Sequence, residues 1–154
     1  MNTQVTVGFA LHDTARLMRK RFEQRARHSS LTRSQWQVLA MLSVNEGIHQ
    51  KGLADLLEIE SITLGRLLDK MEERGLVERR RHSTDRRMLL LFLTPEAHPS
   101  LTLMRGMGEQ TRNEAMKDFS QQEREQLLQL LEKMKGNLIE ACRLPVDDED
   151  LRHG

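Results

Sequence analysis

The stretch LADLLEIESITLGRLLDKMEERGLVERR, residues 53–80, decides the fold of this chain. Apolar residues at three- and four-residue steps predict a short helix over 50–57 and a second helix over 62–74, which ends at Gly75. Residues 58–61, between the two helices, predict a turn. The pattern therefore predicts two short helices joined by a tight turn.

The second of these helices has one apolar face and one largely polar face. A helical wheel brings four apolar side chains together, and these are expected to pack inward. They are Leu64, Leu67, Leu68 and Met71. The opposite face is expected to be exposed, and it carries Ile62, Gly65, Arg66, Asp69 and Lys70.

Two helices are predicted before the two short ones, and a hairpin is predicted after them. The segment 9–27 is amphipathic, and Thr32 with Gln35 forms the capping box of the next helix. Extended runs over 76–81 and 88–94 predict the only strand pair, with a tip of about five or six residues. Three helices followed by an arginine-rich hairpin are a winged-helix DNA-binding arrangement. The predicted fold class is mainly α with a small β-hairpin, a winged helix-turn-helix.

The C-terminal part of the chain predicts two more helices. The Thr-Pro-Glu sequence at 94–96 marks a helix start, whereas Pro99 and the glycines within 106–108 lower helix propensity. We therefore expect a late start, a bend or fraying. Ser120 and Glu123 predict a capping box for the last helix. The apolar stripe of that helix comprises Leu127, Leu130, Leu131, Met134, Leu138 and Ile139.

Three stretches resemble the MarR transcriptional regulators. They are LTRSQWQVLAML at 31–42, the stretch 53–80 quoted above, and DRRMLLLFLTPEA at 85–97. Within that family the SlyA-like branch is the most similar, because of the Trp in the second helix, the DRR of the wing and the Pro after the LT that ends the wing. The resemblance spans about 11–143 and is strongest over 31–94, where the signatures occur in the correct order and spacing.

The resemblance implies a single MarR-like domain over 1–154. Within it, residues 31–94 form the winged-helix DNA-binding region, and 5–30 and 95–143 form helices that dimerise. The remaining residues, 144–154, form an acidic tail that we expect to be loosely held.

Charge is divided unevenly along the chain, although the net charge is only +1. Residues 1–95 carry 16 Lys and Arg against 11 Asp and Glu, whereas residues 96–154 carry 8 against 12. The segment 79–87, RRRHSTDRR, holds five Arg and one Asp. Such density on a protruding hairpin suits contact with phosphate or with a DNA groove. Charge alone leaves a solvated turn as an equal alternative.

The exposed face of the second short helix has side chains suited to a DNA major groove. Arg66 can reach guanine edges, Ile62 can contact a thymine methyl group, and hydroxyl groups can bond phosphate or base. The alternative is an ordinary surface helix. Gly65 departs from the hydroxyl or β-branched residue often found in the family, so that either the backbone approaches DNA closely there or one base contact is missing. The candidate DNA contacts of this helix are Ser61, Ile62, Thr63, Gly65, Arg66 and Lys70.

In the wing, the resemblance implies that Arg87 enters the minor groove and that the Asp85 carboxylate fixes its guanidinium. Arg86 and Arg80 are then contacts to the DNA backbone or the groove edge. The alternative role for Asp85 is that of a turn-forming residue, and the two roles are compatible.

The apolar stripe of the last helix is wider than one short domain needs. Together with the first helix and residues 101–116, it is expected to be buried against a second copy of the chain. We therefore predict a homodimer that binds a pseudo-palindromic operator. An intramolecular bundle is the alternative. The resemblance also suggests a small anionic aromatic effector. Each proposed lining residue has an ordinary alternative, surface charge for the arginines and core packing for the tryptophan. The candidates are His12, Arg16, Arg19 and Trp36.

Several classes of function are disfavoured. The six His residues are scattered, no catalytic or phosphate-loop motif is present, and no cofactor or metal is expected. No run of apolar residues is close to the length of a membrane span, which is about 20 residues. The N-terminus also lacks a basic start followed by an apolar stretch, so we expect a cytoplasmic protein. The lone Cys142 is expected to be inert rather than a redox sensor. A helical protein-interaction module without specific DNA binding is the competing function.

Overall fold

The computed structural model describes residues 5–146, so residues 147–154 of the predicted acidic tail lie outside the described residues. The described part contains six α-helices, one 3-10 turn and one antiparallel hairpin. This confirms the predicted fold class. The elements are α1 (Val7–Ala26), α2 (Arg33–Val44), α3 (Gln50–Leu57), α4 (Ser61–Glu73), β1 (Val77–Arg81), β2 (Leu89–Leu93), the 3-10 turn Pro95–Ala97, α5 (His98–Ala115) and α6 (Gln121–Ala141).

Two compact units divide the chain, the first ending at Ala115 and the second beginning at Met116. The core of the first unit is aliphatic and lies where α2, α3 and α4 meet strand β2 and helix α5. Helix α2 begins with the predicted capping box, in which the Thr32 hydroxyl accepts the Gln35 N–H and the Gln35 side chain accepts the Thr32 N–H. This cap satisfies two donors that the first turn of a helix otherwise leaves unpaired.

Helix α4 packs through the face that the helical wheel predicted. Leu64, Leu68 and Met71 are fully buried, and Leu67 is partly buried against the same core. The turn before α4 is made possible by Glu58, whose φ of 54° ends α3 in the left-handed conformation. The helix-turn-helix geometry therefore follows from one buried stripe and one tight reversal of the chain.

The hairpin pairs Val77 with Leu93 at its base and Arg81 with Leu89 at its outer end. Gly75, with a φ of 71°, ends α4 and turns the chain into β1. The loop between the strands runs over 82–88, longer than the predicted tip. An isolated bridge between His49 and Leu90 adds a short third segment beside β2, which the sequence did not predict.

The start of α5 is late, as predicted, because a 3-10 turn over Pro95–Ala97 precedes it. Thr94 lies at the N-cap position, but its hydroxyl donates to the Gly75 carbonyl instead of capping the turn. Of the three expected alternatives, the late start is the one present, and α5 continues as a helix through Gly106 and Gly108. Burial of Met107 and Thr111 provides the packing that outweighs the low propensity of glycine.

The second unit contains α6. Its start has the predicted capping box, in which Ser120 accepts the Glu123 N–H and the Glu123 carboxylate accepts the Ser120 N–H. None of the residues of α6 is buried, and Leu128, Leu130 and Leu138 are each more than half exposed.

Helices α1 and α5 are joined by ion pairs to Glu114. The Arg21 guanidinium donates to both oxygens of this carboxylate, at 2.7 and 3.2 Å, and Arg25 also bonds to it. Arg25 donates in addition to the Thr111 hydroxyl at 2.9 Å. The hydrogen bond from Arg21, followed by that from Arg25, lowers the pKa of Glu114 from 4.5 to about 2.

Replacement of Glu114 by Gln is expected to make the stability of the protein less sensitive to acid. The pKa of Glu114 is lower in the folded protein, so its contribution is complete above about pH 4.5 and is lost as the pH falls towards 2. Thermal unfolding measured between about pH 5 and pH 3 should therefore show a larger fall in Tm for the wild type than for Glu114→Gln. Glu109→Gln, an exposed change on the same helix, should follow the wild type. An equal fall in Tm for all three proteins would show that ionised Glu114 does not contribute to stability.

Candidate nucleic-acid interface

The face of α4 opposite the core is exposed along the helix. Ile62 is 72% exposed although it is a large apolar residue, and Arg66 and Lys70 lie on the same side. Among residues 5–146, neither Arg66 nor Lys70 takes part in a salt bridge. Ser61 and Thr63, in the first turn, are exposed as well. The structure therefore brings the predicted contacts of this helix together on one surface.

Gly65 lies at the edge of this surface and is partly buried. A Cβ added to Gly65 would lie 3.4 Å from Nε2 of Gln50, the first residue of α3. The end of the Gln50 side chain therefore lies within van der Waals distance of this part of α4. The sequence offered only a close approach of DNA or a missing contact at this position, and contact with α3 is a feature that it did not reveal.

The tip of the hairpin presents two adjacent arginines. The His82 N–H donates to the Met88 carbonyl at 2.9 Å, which closes the loop, and the Met88 N–H donates to the Asp85 carbonyl at 3.1 Å. This second bond makes a β-turn in which Arg86 and Arg87 are the two central residues. Both side chains are exposed.

Asp85 holds this turn through the main chain. Its Oδ1 accepts the N–H of Arg87 at 3.0 Å, which is the geometry of an Asx turn. Among the described residues, no salt bridge joins the carboxylate to the Arg87 guanidinium. The expected side-chain pair is therefore absent, and the alternative role of Asp85 as a turn former is the one present.

Arg80 lies on β1, away from the tip, and its charge is already partnered. Its guanidinium donates to the Glu78 carboxylate at 3.1 Å and lies 4.1 Å from the centre of the Phe92 ring. The hydrogen bond to Glu78 raises the pKa of Arg80, and the same bond lowers the pKa of Glu78. The predicted contact of Arg80 with DNA would require this pair to open or to be shared.

Arg79 has a structural role that was not predicted from the sequence. Its main-chain N–H and its Nε both donate to Glu72 Oε2, at 3.1 and 3.3 Å, and its guanidinium also bonds to Asp69. The side chain is only 19% exposed, and the hydrogen bond to Asp69 raises its pKa. Arg79 therefore ties the hairpin to α4. Two acids spaced three residues apart on α4 were the available signal, but the sequence did not show which arginine meets them.

The candidate effector residues do not form one site in the first unit. Trp36 is only 4% exposed; its indole N–H donates to the Ser29 hydroxyl at 2.9 Å, and it packs edge-on against Phe22. It is therefore a core residue, as its ordinary alternative predicted. His12 lines an open depression at the start of α1, Arg16 pairs with Asp13 at 3.5 Å, and Arg19 is exposed.

None of the helices that the structure describes is long and apolar enough to cross a membrane. In the second unit, Cys142 is exposed at the end of α6.

Comparison with known proteins places this geometry in a family. The sequence model of the MarR family matches residues 29–88. The transcriptional regulator PA3341, whose crystal structure is known, has 30% sequence identity with this chain. The match covers 88% of this chain and 99% of that chain, with a TM-score of 0.76. The chain belongs to the MarR family. Proteins of this family are transcriptional regulators rather than enzymes, which supports the expectation that the chain is not an enzyme.

Two more solved structures bear on the details. The transcriptional repressor CouR, bound to a 23-mer DNA duplex, is 25% identical, with 88% of this chain and 98% of that chain covered and a TM-score of 0.68. An uncharacterised SlyA-like transcription regulator from Listeria monocytogenes is 25% identical, with 86% of this chain and 88% of that chain covered and a TM-score of 0.71. These similarities support the MarR-type winged helix observed here.

Replacement of Arg79 by Met should destabilise the protein by about 1 kcal/mol, because the ion pairs between the hairpin and α4 are partly exposed and screened. Methionine retains the apolar stem of the side chain, so the loss reports on the guanidinium. The matched control is Arg81→Met, at an exposed position on the same strand. Urea unfolding should show a lower midpoint for Arg79→Met alone, and equal midpoints for both variants would show that the tie contributes nothing.

Proposed function

We propose that this chain is a sequence-specific regulator of transcription that binds double-stranded DNA as a homodimer. Helix α4 lies in the major groove and the hairpin enters the adjacent minor groove of a pseudo-palindromic operator. The observation that carries the proposal is the pairing of an exposed α4 face, bearing Arg66 and Lys70 without salt bridges to described residues, with two exposed arginines at the hairpin tip. The DNA-bound CouR structure supports it, because it shows that a protein with this fold binds a duplex.

The chemistry of α4 suits direct contact with base edges. Arg66 is long enough to donate two hydrogen bonds to guanine, and Ile62 offers an apolar surface for a thymine methyl group. Ile62 is 72% exposed, so its side chain is accessible to such a methyl group. Ser61 and Thr63 supply hydroxyl donors for phosphate near the helix N-terminus, where anions are favoured.

The chemistry of the hairpin tip suits a narrow groove of negative potential. Arg87 is the residue proposed to enter the minor groove, with Arg86 at the phosphate backbone. Asp85 supports both by fixing the main chain of the turn in which they lie. An arginine inserted in this way responds to groove width more than to base identity, so it contributes affinity on many sequences.

The homodimer is proposed from the apolar surface of the terminal helices. Phe9 on α1 is 69% exposed, and on α6 Leu128 and Leu138 are 61% and 56% exposed. Exposed leucines in such number on one helix are typical of a surface that another chain covers. In this proposal residues 31–94 form the DNA-binding region, and 5–30 and 95–143 form the dimerisation helices. A dimer with twofold symmetry places two copies of α4 on successive turns of one DNA face.

Two finer points belong to the same proposal. The SlyA-like regulator from Listeria monocytogenes supports assignment to that branch. A small anionic aromatic effector is proposed to meet the exposed His12, Arg16 and Arg19 of α1, although these residues do not enclose a site within one chain. Trp36 is only 4% exposed and is left out of the proposed lining. The competing function is a helical interaction module, which would need neither the exposed arginines of the hairpin tip nor Arg66 of α4.

Removal of the proposed DNA contacts should separate affinity from specificity. Arg87→Ala should weaken binding to operator and to random duplex alike, because its contact is electrostatic and follows groove shape. Arg66→Ala should relax the preference at one or two base pairs by roughly 1 to 3 kcal/mol. Sites selected from random or genomic DNA provide the operator, and titrations on both duplexes at two salt concentrations provide the measurement.

Lys133→Ala, which removes an exposed positive charge from α6, is the control for net charge and should leave both affinities nearly unchanged. If Arg87→Ala binds like the wild type, the assignment of the wing is wrong. If the wild type binds no duplex more tightly than random DNA, the interaction module becomes the better account.

Sedimentation of the purified protein should give a species of twice the 17.9 kDa chain mass at micromolar concentration. Leu138→Glu, which places a charge on the exposed stripe of α6, should shift the species towards the monomer without loss of helical content. Glu132→Gln, an exposed change on the same helix, is the control. A wild-type protein that sediments as a stable monomer would reject the dimer.

A further inference from the structure

His82 occupies the point at which β1 ends and the loop of the hairpin begins. Its Nδ1 accepts the main-chain N–H groups of Thr84 and Asp85, both at 3.2 Å, and lies 3.1 Å from the Thr84 hydroxyl. The ring is partly buried, unlike the rest of the residues up to Arg87 in this loop, which are exposed. One imidazole nitrogen thus organises the first half of the loop, and Asp85 organises the second half.

These contacts require a particular form of the ring. A nitrogen that accepts two N–H groups carries no hydrogen itself, so this hydrogen-bond pattern requires a neutral imidazole with its hydrogen on Nε2. Protonation places a hydrogen on Nδ1, which then faces two other N–H donors and can accept from neither. The bonds that shape the first half of the loop exist only while His82 is neutral.

We propose that His82 is a positioning residue for DNA binding, whose neutral ring sets the loop so that Arg86 and Arg87 project from the tip. The inference rests on the proposed function, since it concerns how the wing is presented to DNA. Protonation of His82 releases the N–H groups of Thr84 and Asp85, so the turn that Asp85 begins is no longer held at its first residue. The wing then samples more conformations and binds DNA less tightly.

The direction in which DNA binding changes with pH distinguishes two roles for His82. Every hydrogen-bond partner of His82 lies on the hairpin. The charged residues nearest to it in sequence are Arg81 at the end of β1 and Asp85, Arg86 and Arg87 on the loop. If His82 were simply a cation near phosphate, acid would strengthen DNA binding. If it acts by accepting the two N–H groups, acid weakens binding.

Two substitutions separate these roles. The Oδ1 of asparagine occupies a place like that of Nδ1 relative to the main chain, accepts N–H groups in Asx turns and does not titrate. His82→Asn should therefore bind operator within about twofold of the wild type near pH 7.5, whereas His82→Ala should bind about fivefold more weakly. At pH 5.5 the wild type should bind operator more weakly relative to His82→Asn than it does at pH 7.5, because a protonated ring cannot accept the two N–H groups.

The same measurements can overturn the inference. Wild-type binding that strengthens in acid relative to His82→Asn, or His82→Ala that binds like the wild type at both pH values, would show that the ring positions nothing. Because each variant is compared with the wild type at the same pH, titration of the other histidines and of the DNA cancels.

A measurement without DNA distinguishes failure of this inference from failure of the proposed function. Nitrogen-15 NMR of the free protein near neutral pH should show the His82 hydrogen on Nε2, together with slowed exchange of the Thr84 and Asp85 amides. A hydrogen on Nδ1 would overturn the inference even if DNA binding is confirmed. A wild type that shows the expected ring form but binds no DNA would overturn the proposed function, and with it any role of His82 in DNA binding.

Discussion

The burial of one face of α4 is the constraint on which the rest of the structure depends. Leu64, Leu68 and Met71 are fully buried between α2, α3 and the hairpin, and such burial stabilises by about 1.5 to 3 kcal/mol for each side chain. With these three positions fixed, the helix cannot rotate about its axis. The opposite face, with Ile62 and Arg66, must then point away from the core. The surface proposed to meet DNA is thus a direct consequence of the packing behind it.

The hairpin takes its position from the same helix. At its base, Gly75 turns the chain out of α4, and the Thr94 hydroxyl returns a hydrogen bond to the Gly75 carbonyl. Arg79 adds a second connection through Asp69 and Glu72 of α4. The base of the hairpin is therefore fixed to α4 by contacts between the two elements. Its tip is shaped by hydrogen bonds of the hairpin itself.

The sequence predicted the features that depend on local pattern. The spacing of apolar residues and the capping residues predicted the six α-helices of the described residues. A helical wheel of α4 correctly predicted Leu64, Leu68 and Met71 as core residues. The sequence could not predict which carboxylate each arginine of the hairpin binds. An arginine run close to Asp69, Glu72, Glu78 and Asp85 can form many ion pairs of similar energy, and only the register of the strands decides between them. The glycines of α5 show the same limit, because helix propensity is a local property whereas burial depends on the tertiary structure.

This choice of partners determines where positive charge is available. Of the five arginines in residues 79–87, Arg79 and Arg80 are bound to carboxylates, so they neutralise acids of α4 and β1 instead of adding to the charge of the wing. That neutralisation matters for α4, since unpaired carboxylates beside its exposed face would repel phosphate. The remaining arginines are at or next to the tip, where Asp85 and His82 bond to the main chain and leave the guanidinium groups free. The hairpin thus combines a nearly neutral base with a strongly cationic tip, a distribution that suits the proposed insertion of the tip into a DNA groove.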